Sequence, residues 1–348
     1  MKAARLYGKN DLRVVEVPIP ELQEGEALLR VKAATICGTD LRMYANGAAG
    51  VDEERPLTLC HEFAGVIEKV GAPESVNALE AGKRVSVAPN ISCGVCRFCA
   101  AGNDHHCENL KAFGIHIDGG LAEFVRLPAE AIKRGNVRPL ADNVSFEAAA
   151  ANEAFACVYN SFERYGVNEG DVVLIIGAGA IGMMHAKLAF MSGASKVIIN
   201  DVSEKRLGIC KALEPRIIAV SQSPKEAVDR ETGGRGADVV ITACSVRSVQ
   251  EAAFDYAALN GRVNFFGGLP PGEKAILDTN QIHYKQLLVS GTTRSSLEQY
   301  EKALGLLADG AVDLGPLVTD RYCIEDSKTA FENAASGAGL KQAVVFNE

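Results

Sequence analysis

The pattern of hydrophobic and polar positions changes about half-way along the chain. Up to about residue 150, short runs of β-forming residues are separated by glycine, proline and polar turn residues, and strands are predicted at 28–32, 65–70 and 84–87. Short runs bounded by turn signals are typical of antiparallel β structure. The first part of the chain is therefore predicted to form a mostly antiparallel, partly barrel-like domain.

From about residue 170, apolar runs alternate with helical segments. Residues 171–176 are almost wholly apolar, as expected of a strand buried on both faces. Alternating strands and helices predict βαβ units around a parallel sheet. The strands are predicted at 171–176, 196–200, 217–220, 237–241 and 261–266, with helices to about 192, over 203–213, from 224 and over 246–258. After about residue 290, one more helix (297–308) and a final strand (342–346) are predicted.

A glycine motif joins the first buried strand of this second part to its helix. In the sequence GAGAIG, Gly177 permits a tight turn, Gly179 lets the backbone approach a pyrophosphate, and Gly182 lets helix and strand pack closely. The free N–H groups at the helix start suit phosphates. The sequence therefore predicts a dinucleotide site, with these candidate cofactor-binding residues: Gly177, Gly179, Ala180, Ile181, Gly182, Asp201 and Arg206.

The acidic residue that closes the second strand indicates which dinucleotide binds. Asp201 stands nineteen residues after Gly182, where a carboxylate binds the adenosine ribose hydroxyls. Because it would repel a 2′-phosphate, NAD is predicted in preference to NADP, and Arg206 on the next helix weakens that preference only slightly. The alternative is a similar sheet with ordinary turn glycines and no nucleotide.

Composition and charge narrow the classes of partner. The 348 residues carry a net charge of -8, which argues against nucleic acid or an anionic membrane surface as the main partner. The sequence shows no apolar run long enough to cross a bilayer and no secretory signal. A cytoplasmic protein is expected, and there disulfides are rare, so the ten cysteines need another explanation.

Four cysteines fall within fifteen residues, which we call the cysteine lobe: Cys93, Cys96, Cys99 and Cys107. Four thiolates at such short spacings can surround zinc tetrahedrally, and with every position filled this zinc is predicted to be structural. The alternatives are disulfides and an iron–sulfur cluster, although the bacterial ferredoxin run has a last gap of three residues, not seven. His105 and His106 lie inside the lobe and are interpreted as solvated bystanders, not ligands.

Two further motifs, C-G-T-D at 37–40 and C-H-E at 60–62, are weak by spacing alone. Four further features follow them along the chain: the cysteine lobe, G-G-L-A-E-F at 119–124, Glu153 and the glycine motif. This order is the one found in the zinc-dependent medium-chain alcohol dehydrogenases. The chain resembles that family over essentially its whole length. The resemblance implies an α/β protein. It has a mostly-β, GroES-like catalytic domain (1–152 plus 291–348) and a Rossmann doubly wound parallel-sheet domain (153–290).

The resemblance also implies a catalytic zinc in the first domain. Cys37 and His61 are its implied ligands, Glu153 is the third ligand found in the polyol dehydrogenases, and Glu62 is a nearby acid able to approach the metal. A thiolate, an imidazole and a carboxylate neutralise Zn²⁺ and leave a fourth position for water or substrate oxygen. Thr39 is implied as a proton relay, with a turn hydroxyl that bonds its own backbone as the alternative.

Cys60 departs from the family, which usually has glycine before the histidine ligand. It is interpreted as a small buried side chain, and a spare thiol beside the metal is the alternative. Within the family the chain is most similar to sorbitol (L-iditol) and related polyol dehydrogenases, through Glu153, the segment 290–294 that ends at Arg294, and the segment 337–341. The implied reaction is the interconversion of a secondary alcohol of a polyol, or of its phosphate, and the ketone. It requires NAD(H) and two zinc ions per chain, one catalytic and one structural.

Three arginine or tyrosine residues are candidates for substrate recognition. Arg294 is implied to reach substrate hydroxyls, and Arg42 and Tyr44 are further candidates. The threonine dehydrogenases share C-G-T-D but carry a histidine where Arg42 stands, so an L-threonine 3-dehydrogenase or another secondary-alcohol dehydrogenase is the alternative. An inactive NAD-binding sensor or interaction protein is the alternative from a different class. By analogy with the family, a homodimer or homotetramer is expected.

Overall fold

A computed structural model describes residues 1–71 and 79–346 of the chain. Its contacts divide the chain into a first unit, Met1–Ala156 with Ser295–Glu348, and a second unit, Cys157–Arg294. The boundaries expected from the sequence, after residues 152 and 290, precede these by four residues. Within the described ranges, every helix is too short or too polar to cross a membrane.

The strands and helices are numbered along the chain. The strands are β1 (Lys2–Gly8), β2 (Asp11–Glu16), β3 (Ala27–Thr35), β4 (Leu57–Thr58), β5 (Glu62–Val70), β6 (Arg84–Val87), β7 (Asn90–Ile91), β8 (Lys111–Ala112), β9 (Phe124–Leu127), β10 (Val137–Pro139), β11 (Val172–Ile176), β12 (Lys196–Asn200), β13 (Ile218–Val220), β14 (Ala237–Thr242), β15 (Ala257–Phe265), β16 (Leu288–Gly291), β17 (Val318–Tyr322) and β18 (Lys341–Val345). The helices are α1 (Gly38–Asn46), α2 (Arg97–Ala100), α3 (Ala129–Arg134), α4 (Phe146–Ala150), α5 (Asn152–Tyr165), α6 (Ala180–Met191), α7 (Glu204–Leu213), α8 (Pro224–Thr232), α9 (Arg247–Tyr256), α10 (Thr279–Lys285), α11 (Leu297–Ala308) and α12 (Ser327–Ser336).

The first unit is built around a seven-stranded sheet in the order β10-β6-β5-β3-β18-β17, with β9 also paired to β3. Its pairs are antiparallel except β17 with β18. A smaller sheet has the order β2-β1-β4. Phe63 and Phe113 meet edge to face in the core at 5.4 Å between ring centroids, and Phe331 joins the same core. The predicted mostly antiparallel β domain is confirmed.

The second unit is a parallel sheet of six strands in the order β13-β12-β11-β14-β15-β16. This order is that of the doubly wound dinucleotide-binding fold. Strand β11 lies at its centre with every residue buried, as its continuous apolar run predicted. The predicted α/β fold class, a mostly-β unit followed by a Rossmann-like unit, is confirmed.

Two parts of the predicted pattern were wrong. Helix α9 ends at Tyr256 and strand β15 begins at Ala257, because Asn260 (φ 59°) and Gly261 resemble a turn although they lie within the strand. After residue 290 the chain also contains β17 and α12, not a single helix and strand. The buried face of α12 is formed by Ser327, Ala330 and Phe331, so its apolar periodicity is too weak to recognise.

Candidate metal centres and nucleotide site

The first candidate metal centre, which we call the mixed centre, lies in the first unit. Cys37 caps the start of α1 directly after β3, and His61 and Glu62 stand where β5 begins. One donor atom from each of Cys37, His61 and Glu62 lies within 4.8 Å of the others. His61 and Glu62 are buried and Cys37 is half-buried. A thiolate, an imidazole and a carboxylate so close together form a donor set that suits zinc.

A second carboxylate reaches the same imidazole. Glu153, in the first turn of α5, is only 7% exposed, and its Oε2 lies 3.8 Å from His61 Nε2. Two ligand atoms bound about 2.0–2.1 Å from a tetrahedral zinc lie roughly 3.3 Å apart, so this separation is close to that of two ligands of one ion. The structure thus brings Cys37, His61 and Glu62 together and places Glu153 next to His61, outside the set of three whose donor atoms all lie within 4.8 Å of one another.

Glu62 is held by a buried lysine, Lys341, that was not among the predicted site residues. Lys341 Nζ lies 2.8 Å from Glu62 Oε1 and 2.6 Å from Oε2, and Thr35 Oγ1 donates to Oε2 as well. Burial lowers the pKa of Lys341, but the negative charges of Glu62 and Cys37 outweigh burial and raise it. The lysine is therefore charged and compensates the Glu62 carboxylate.

Asp40 joins the two segments that carry Cys37 and His61. It is fully buried, and its two oxygens accept hydrogen bonds from the backbone N–H of Cys37 at 2.9 Å and of Cys60 at 3.1 Å. Its Oδ1 also lies 3.7 Å from His61 Nδ1. In metal sites, a carboxylate often lies beside the imidazole nitrogen that does not bind the metal. Such a carboxylate orients the ring and raises the basicity of the histidine as a ligand.

The electrostatics of His61 also fit a cation site. Burial lowers the pKa of His61, but the negative charges of Cys37 and Asp40 more than offset it, so the pKa lies well above its ordinary value. Without a metal the pocket thus favours the imidazolium cation. A bound divalent cation provides the same positive charge and displaces the proton, as metal binding to histidine requires.

Cys60 is fully buried, as predicted, and has a left-handed backbone with φ of 65°. A left-handed conformation is costly for a residue with a Cβ, which gives a physical reason for the glycine usual in the family. The chain is also crowded there, since a Cβ added to Gly119 would lie 2.2 Å from the Cys60 carbonyl oxygen. The G-G-L-A-E-F motif therefore packs directly on the loop that presents His61.

The cysteine lobe forms the second candidate metal centre, with the four sulfur atoms within 4.8 Å of one another. Cys96 Sγ lies 3.5 Å from Cys99 Sγ, and Cys93 Sγ lies 4.0 Å from Cys99 Sγ. Four thiolates at about 2.3 Å from zinc lie roughly 3.8 Å apart, so these distances fit. Backbone N–H groups of Cys99 and Glu108 lower the pKa of Cys96 to about 6, which favours the thiolate, whereas burial raises that of Cys107 to about 11.

Both histidines of the cysteine lobe lie outside this set of four sulfurs. The prediction that His105 is solvated was wrong, since it is 2% exposed and its ring stands 4.2 Å from the His106 ring. The short 3₁₀ helix Asp104–His106 turns one ring inward and leaves the other at the surface.

The glycine motif lies between β11 and α6 in the second unit. Gly177 has a φ of 120°, and a Cβ on Gly182 would lie 1.9 Å from the Gly177 carbonyl oxygen, so the fold itself requires both glycines. At Gly179, by contrast, an added Cβ would meet no atom within 4 Å. The open space beside Gly179 fits a close approach of a ligand, such as a pyrophosphate, to the backbone.

Asp201 closes β12 and is fixed by this turn. Its carboxylate accepts hydrogen bonds from the backbone N–H of Ala178 at 2.7 Å and of Ser203 at 2.8 Å. Ala180 and Ile181 form the first turn of α6, whose N-cap is Gly179. Arg206 lies in the first turns of α7 and its N–H donates to Ser203 Oγ at 3.3 Å. The predicted cofactor-binding residues thus gather around the N-termini of α6 and α7.

Comparisons with known proteins identify the family. Two family descriptions match, "Alcohol dehydrogenase GroES-like domain" over residues 23–135 and "Zinc-binding dehydrogenase" over residues 180–309. Sorbitol dehydrogenase of Bombyx mori is 32% identical over 349 residues, which cover 97% of each chain. The chain belongs to the zinc-dependent medium-chain alcohol dehydrogenases.

Other relatives agree on the family and differ in substrate. The L-threonine 3-dehydrogenase of Pseudoalteromonas translucida is 31% identical over 352 residues, which cover 100% of this chain and 99% of that one. A zinc-binding dehydrogenase of Sinorhizobium meliloti bound to NADP is 30% identical, with a TM-score of 0.88 and 99% of each chain covered. The protein is thus an NAD(P)-dependent alcohol dehydrogenase, an oxidoreductase that acts on a small-molecule alcohol.

The remaining residues expected around the substrate of this dehydrogenase lie in different surroundings. Thr39 and Arg42 are on α1, and Arg42 Nη2 donates to Thr39 Oγ1 at 2.9 Å. Tyr44 packs edge to face on Phe331, with ring centroids 5.6 Å apart, as part of the core of the first unit. Arg294 is exposed in the second unit, with φ of 58°, and its carbonyl accepts from Asn160 Nδ2 at 2.8 Å.

Proposed function

We propose that this dehydrogenase interconverts a secondary alcohol of a polyol, either a sorbitol-like sugar alcohol or its phosphate, and the corresponding ketone, with NAD(H) as cofactor. The observation that carries the proposal is the buried Glu153 carboxylate, 3.8 Å from His61 Nε2. By resemblance, a carboxylate ligand here is a feature of the polyol dehydrogenases. A sorbitol dehydrogenase is among the relatives at 31–33% identity, alongside L-threonine 3-dehydrogenases.

In this proposal Cys37, His61 and Glu153 hold the catalytic zinc. Glu62 lies beside them and is not a ligand in this proposal, because Lys341, at 2.6–2.8 Å, already compensates its charge. Bound zinc supplies Lewis-acid polarisation of the substrate hydroxyl, and the nicotinamide supplies the hydride acceptor. Asp40 keeps the His61 ring oriented and the Cys37 backbone in place. The four sulfurs of the cysteine lobe hold the structural zinc.

Thr39 takes the substrate hydroxyl proton at Oγ1 and passes its own proton outward. Arg42 donates to that same oxygen at 2.9 Å, which fixes the hydroxyl and leaves its second lone pair as the acceptor. The exposed guanidinium of Arg42 also supplies a positive charge on α1. That charge favours a phosphorylated polyol over the free one, and Tyr44 and Arg294 are secondary candidates for substrate contacts.

Asp201 sets the preference for NAD. Its carboxylate is held at the end of β12 by two backbone N–H groups, so it cannot easily turn away from a 2′-phosphate. Asp201→Asn keeps the shape and removes the charge. We expect this variant to lose most of its preference for NAD over NADP in kcat/KM. An unchanged ratio would show that Asp201 does not select the cofactor.

The substrate assignment is tested by a panel assay. The zinc-loaded enzyme is mixed with NAD and, in separate arms, sorbitol, sorbitol phosphate, L-threonine and a simple secondary alcohol, and reduced cofactor is followed by absorbance. The proposal expects the highest kcat/KM on a polyol or its phosphate. Arg42→Gln lowers kcat/KM for the phosphate selectively if Arg42 recognises it. Absence of turnover on every polyol overturns the proposal.

L-Threonine is the second candidate substrate, favoured by the 31% identity to an L-threonine 3-dehydrogenase over the whole chain. Highest kcat/KM on threonine in the same panel would establish it. Because the chain belongs to the dehydrogenases, which argues against the alternative of a nucleotide-binding sensor, binding of NAD and zinc with no turnover on any arm would indicate an alcohol outside the panel.

We also propose that the enzyme is a homodimer or homotetramer. Strand β16 is the outer strand of its sheet, and Leu288 on it is 53% exposed, with the exposed Tyr284 just before it on α10. An unpaired edge strand with apolar side chains is a surface that can pair with a second chain. Analytical ultracentrifugation tests this: Leu288→Lys should shift the enzyme toward monomer, and a wild-type monomer would overturn it.

A further inference from the structure

A buried tyrosine in α11 contacts the segment that leads to Glu153. Tyr300 is 1% exposed and lies in the first turn of α11, where its backbone N–H donates to Ser296 O at 2.9 Å. The start of the helix is itself fixed, since the Asp104 carboxylate of the cysteine lobe accepts from Leu297 N at 3.3 Å. The backbone that carries Tyr300 is thus fixed at the start of α11, and its side chain is buried.

The Tyr300 hydroxyl holds one end of this segment through Ser86. Tyr300 Oη lies 2.6 Å from Ser86 Oγ, and Ser86 Oγ donates to the Ala149 carbonyl at 3.0 Å. Because a serine hydroxyl has one proton and that proton goes to Ala149, the tyrosine must donate to Ser86. Ser86 also faces Ala64 across the β5–β6 pair, two residues beyond Glu62. The chain Tyr300–Ser86–Ala149 therefore connects α11 to α4.

The Tyr300 carbonyl holds the other end. It accepts a hydrogen bond from Asn152 Nδ2 at 3.2 Å, and Asn152 is fully buried. Asn152 directly precedes Glu153 at the start of α5. The α4–α5 junction, residues 149–153, is thus attached to one tyrosine at both ends, and Glu153 is its last residue.

We propose that Tyr300 is a positioning residue for the mixed centre, which fixes Glu153 against His61 by holding the α4–α5 junction. The inference rests on the proposed role of Glu153 as a metal ligand. A carboxylate that is free to move loses both metal affinity and catalytic geometry, since displacements of about 1 Å cost large factors in rate. Burial raises the pKa of Tyr300, and the nearby Glu153 and Glu62 carboxylates add to this, so the phenol remains a donor.

The test compares Tyr300→Phe with wild type and with Glu153→Gln. Zinc affinity of the mixed centre is measured by chelator competition, the visible spectrum of the cobalt-substituted enzyme reports ligand geometry, and kcat and KM are measured separately. Loss of an outer partner of a metal ligand typically costs 10–100-fold. We expect Tyr300→Phe to lower zinc affinity and kcat by about 10-fold, to alter the cobalt spectrum and to change KM little.

Two further variants make the result specific. Ser86→Ala removes the same hydrogen bond from the other side and should reproduce the effect, and it also serves if Tyr300→Phe fails to fold. Tyr322→Phe is the matched control, because Tyr322 Oη accepts from Asn333 Nδ2 of α12 at 2.8 Å in the same unit and does not bond to Ser86. It should leave zinc affinity, spectrum and kcat unchanged.

The outcomes separate this inference from the proposed function. If Glu153→Gln weakens zinc binding while Tyr300→Phe and Ser86→Ala leave affinity, spectrum and kcat within threefold of wild type, only the role of Tyr300 is overturned. If Glu153→Gln leaves zinc affinity unchanged, the ligand assignment and the inference both fail. An equal loss of zinc affinity and kcat in Tyr322→Phe would show a general effect of removing a tyrosine hydroxyl. That result would also overturn the role of Tyr300.

Discussion

The two candidate metal centres of the first unit are assembled in different ways. The cysteine lobe takes all four sulfurs from residues 93–107, and neighbouring backbone N–H groups stabilise its thiolates. The mixed centre combines Cys37 and His61 with carboxylates at Glu62 and Glu153, and Lys341 compensates one of these. The cysteine lobe thus takes its sulfurs from one local loop, whereas the mixed centre takes its donors and charges from segments far apart in the sequence.

The sharpest test of this difference is Cys37→Ser. We expect activity below about 1% of wild type, because even loss of an outer partner of a metal ligand costs 10–100-fold. Bound zinc should fall from two ions per chain to one, with circular dichroism unchanged. If activity and zinc content both survive, Cys37 is not a ligand.

The complementary change is Cys99→Ser in the cysteine lobe. A structural zinc contributes folding free energy, so we expect the stability of the first unit to fall by about 3 kcal/mol, or roughly 10 °C in Tm. Below that Tm, the mixed centre should retain its zinc. Differential scanning calorimetry and metal analysis measure both quantities. An unchanged Tm with one zinc lost would show that the lobe does not stabilise the unit.

A smaller effect is expected at Asp40, which accepts from two backbone N–H groups and lies beside His61. Asp40→Asn retains the shape of the side chain, but it removes the negative charge and leaves one acceptor oxygen in place of two. We predict a loss of about 10-fold in zinc affinity at the mixed centre, with none at the cysteine lobe. Equal losses at both centres would contradict the separation of the two sites.

The smallest predicted effect concerns Cys60, whose φ is 65°. Glycine adopts this conformation without steric cost, whereas alanine retains the cost. Cys60→Gly should therefore be more stable than Cys60→Ala by about 1 kcal/mol in urea unfolding, the reverse of the usual order within regular structure. If Cys60→Ala is as stable as Cys60→Gly, or more stable, the left-handed backbone is not maintained in solution.

The two centres also differ in how far they can be predicted from sequence. The spacing of Cys93, Cys96, Cys99 and Cys107 indicates a site directly, and the glycine motif is recognisable because strand, turn and helix are contiguous. Cys37, His61 and Glu153 show no such spacing, and their grouping was implied only by resemblance to a family. The alternation of strands and helices, and with it the parallel sheet, was predictable because each element is a contiguous stretch of sequence.

What could not be predicted involves residues that meet only in the folded chain. Lys341 begins an apolar strand and resembles any charged strand end, yet it is buried against Glu62. Tyr300 shows no local sign of its contacts with Ser86 and Asn152, which lie more than 140 residues away. Hydrophobic periodicity reports which face of an element is buried and carries no information on what lies opposite that face.

The contact between Glu62 and Lys341 has a consequence for biosynthesis. The two residues are 279 positions apart, and the whole second unit is encoded between them. During translation all four cysteines of the lobe are available once residue 107 has left the ribosome. The carboxylate of Glu62 must wait for β18 before its charge is compensated. The order of synthesis therefore lets the four sulfurs of the lobe meet well before the carboxylate of Glu62 gains its partner.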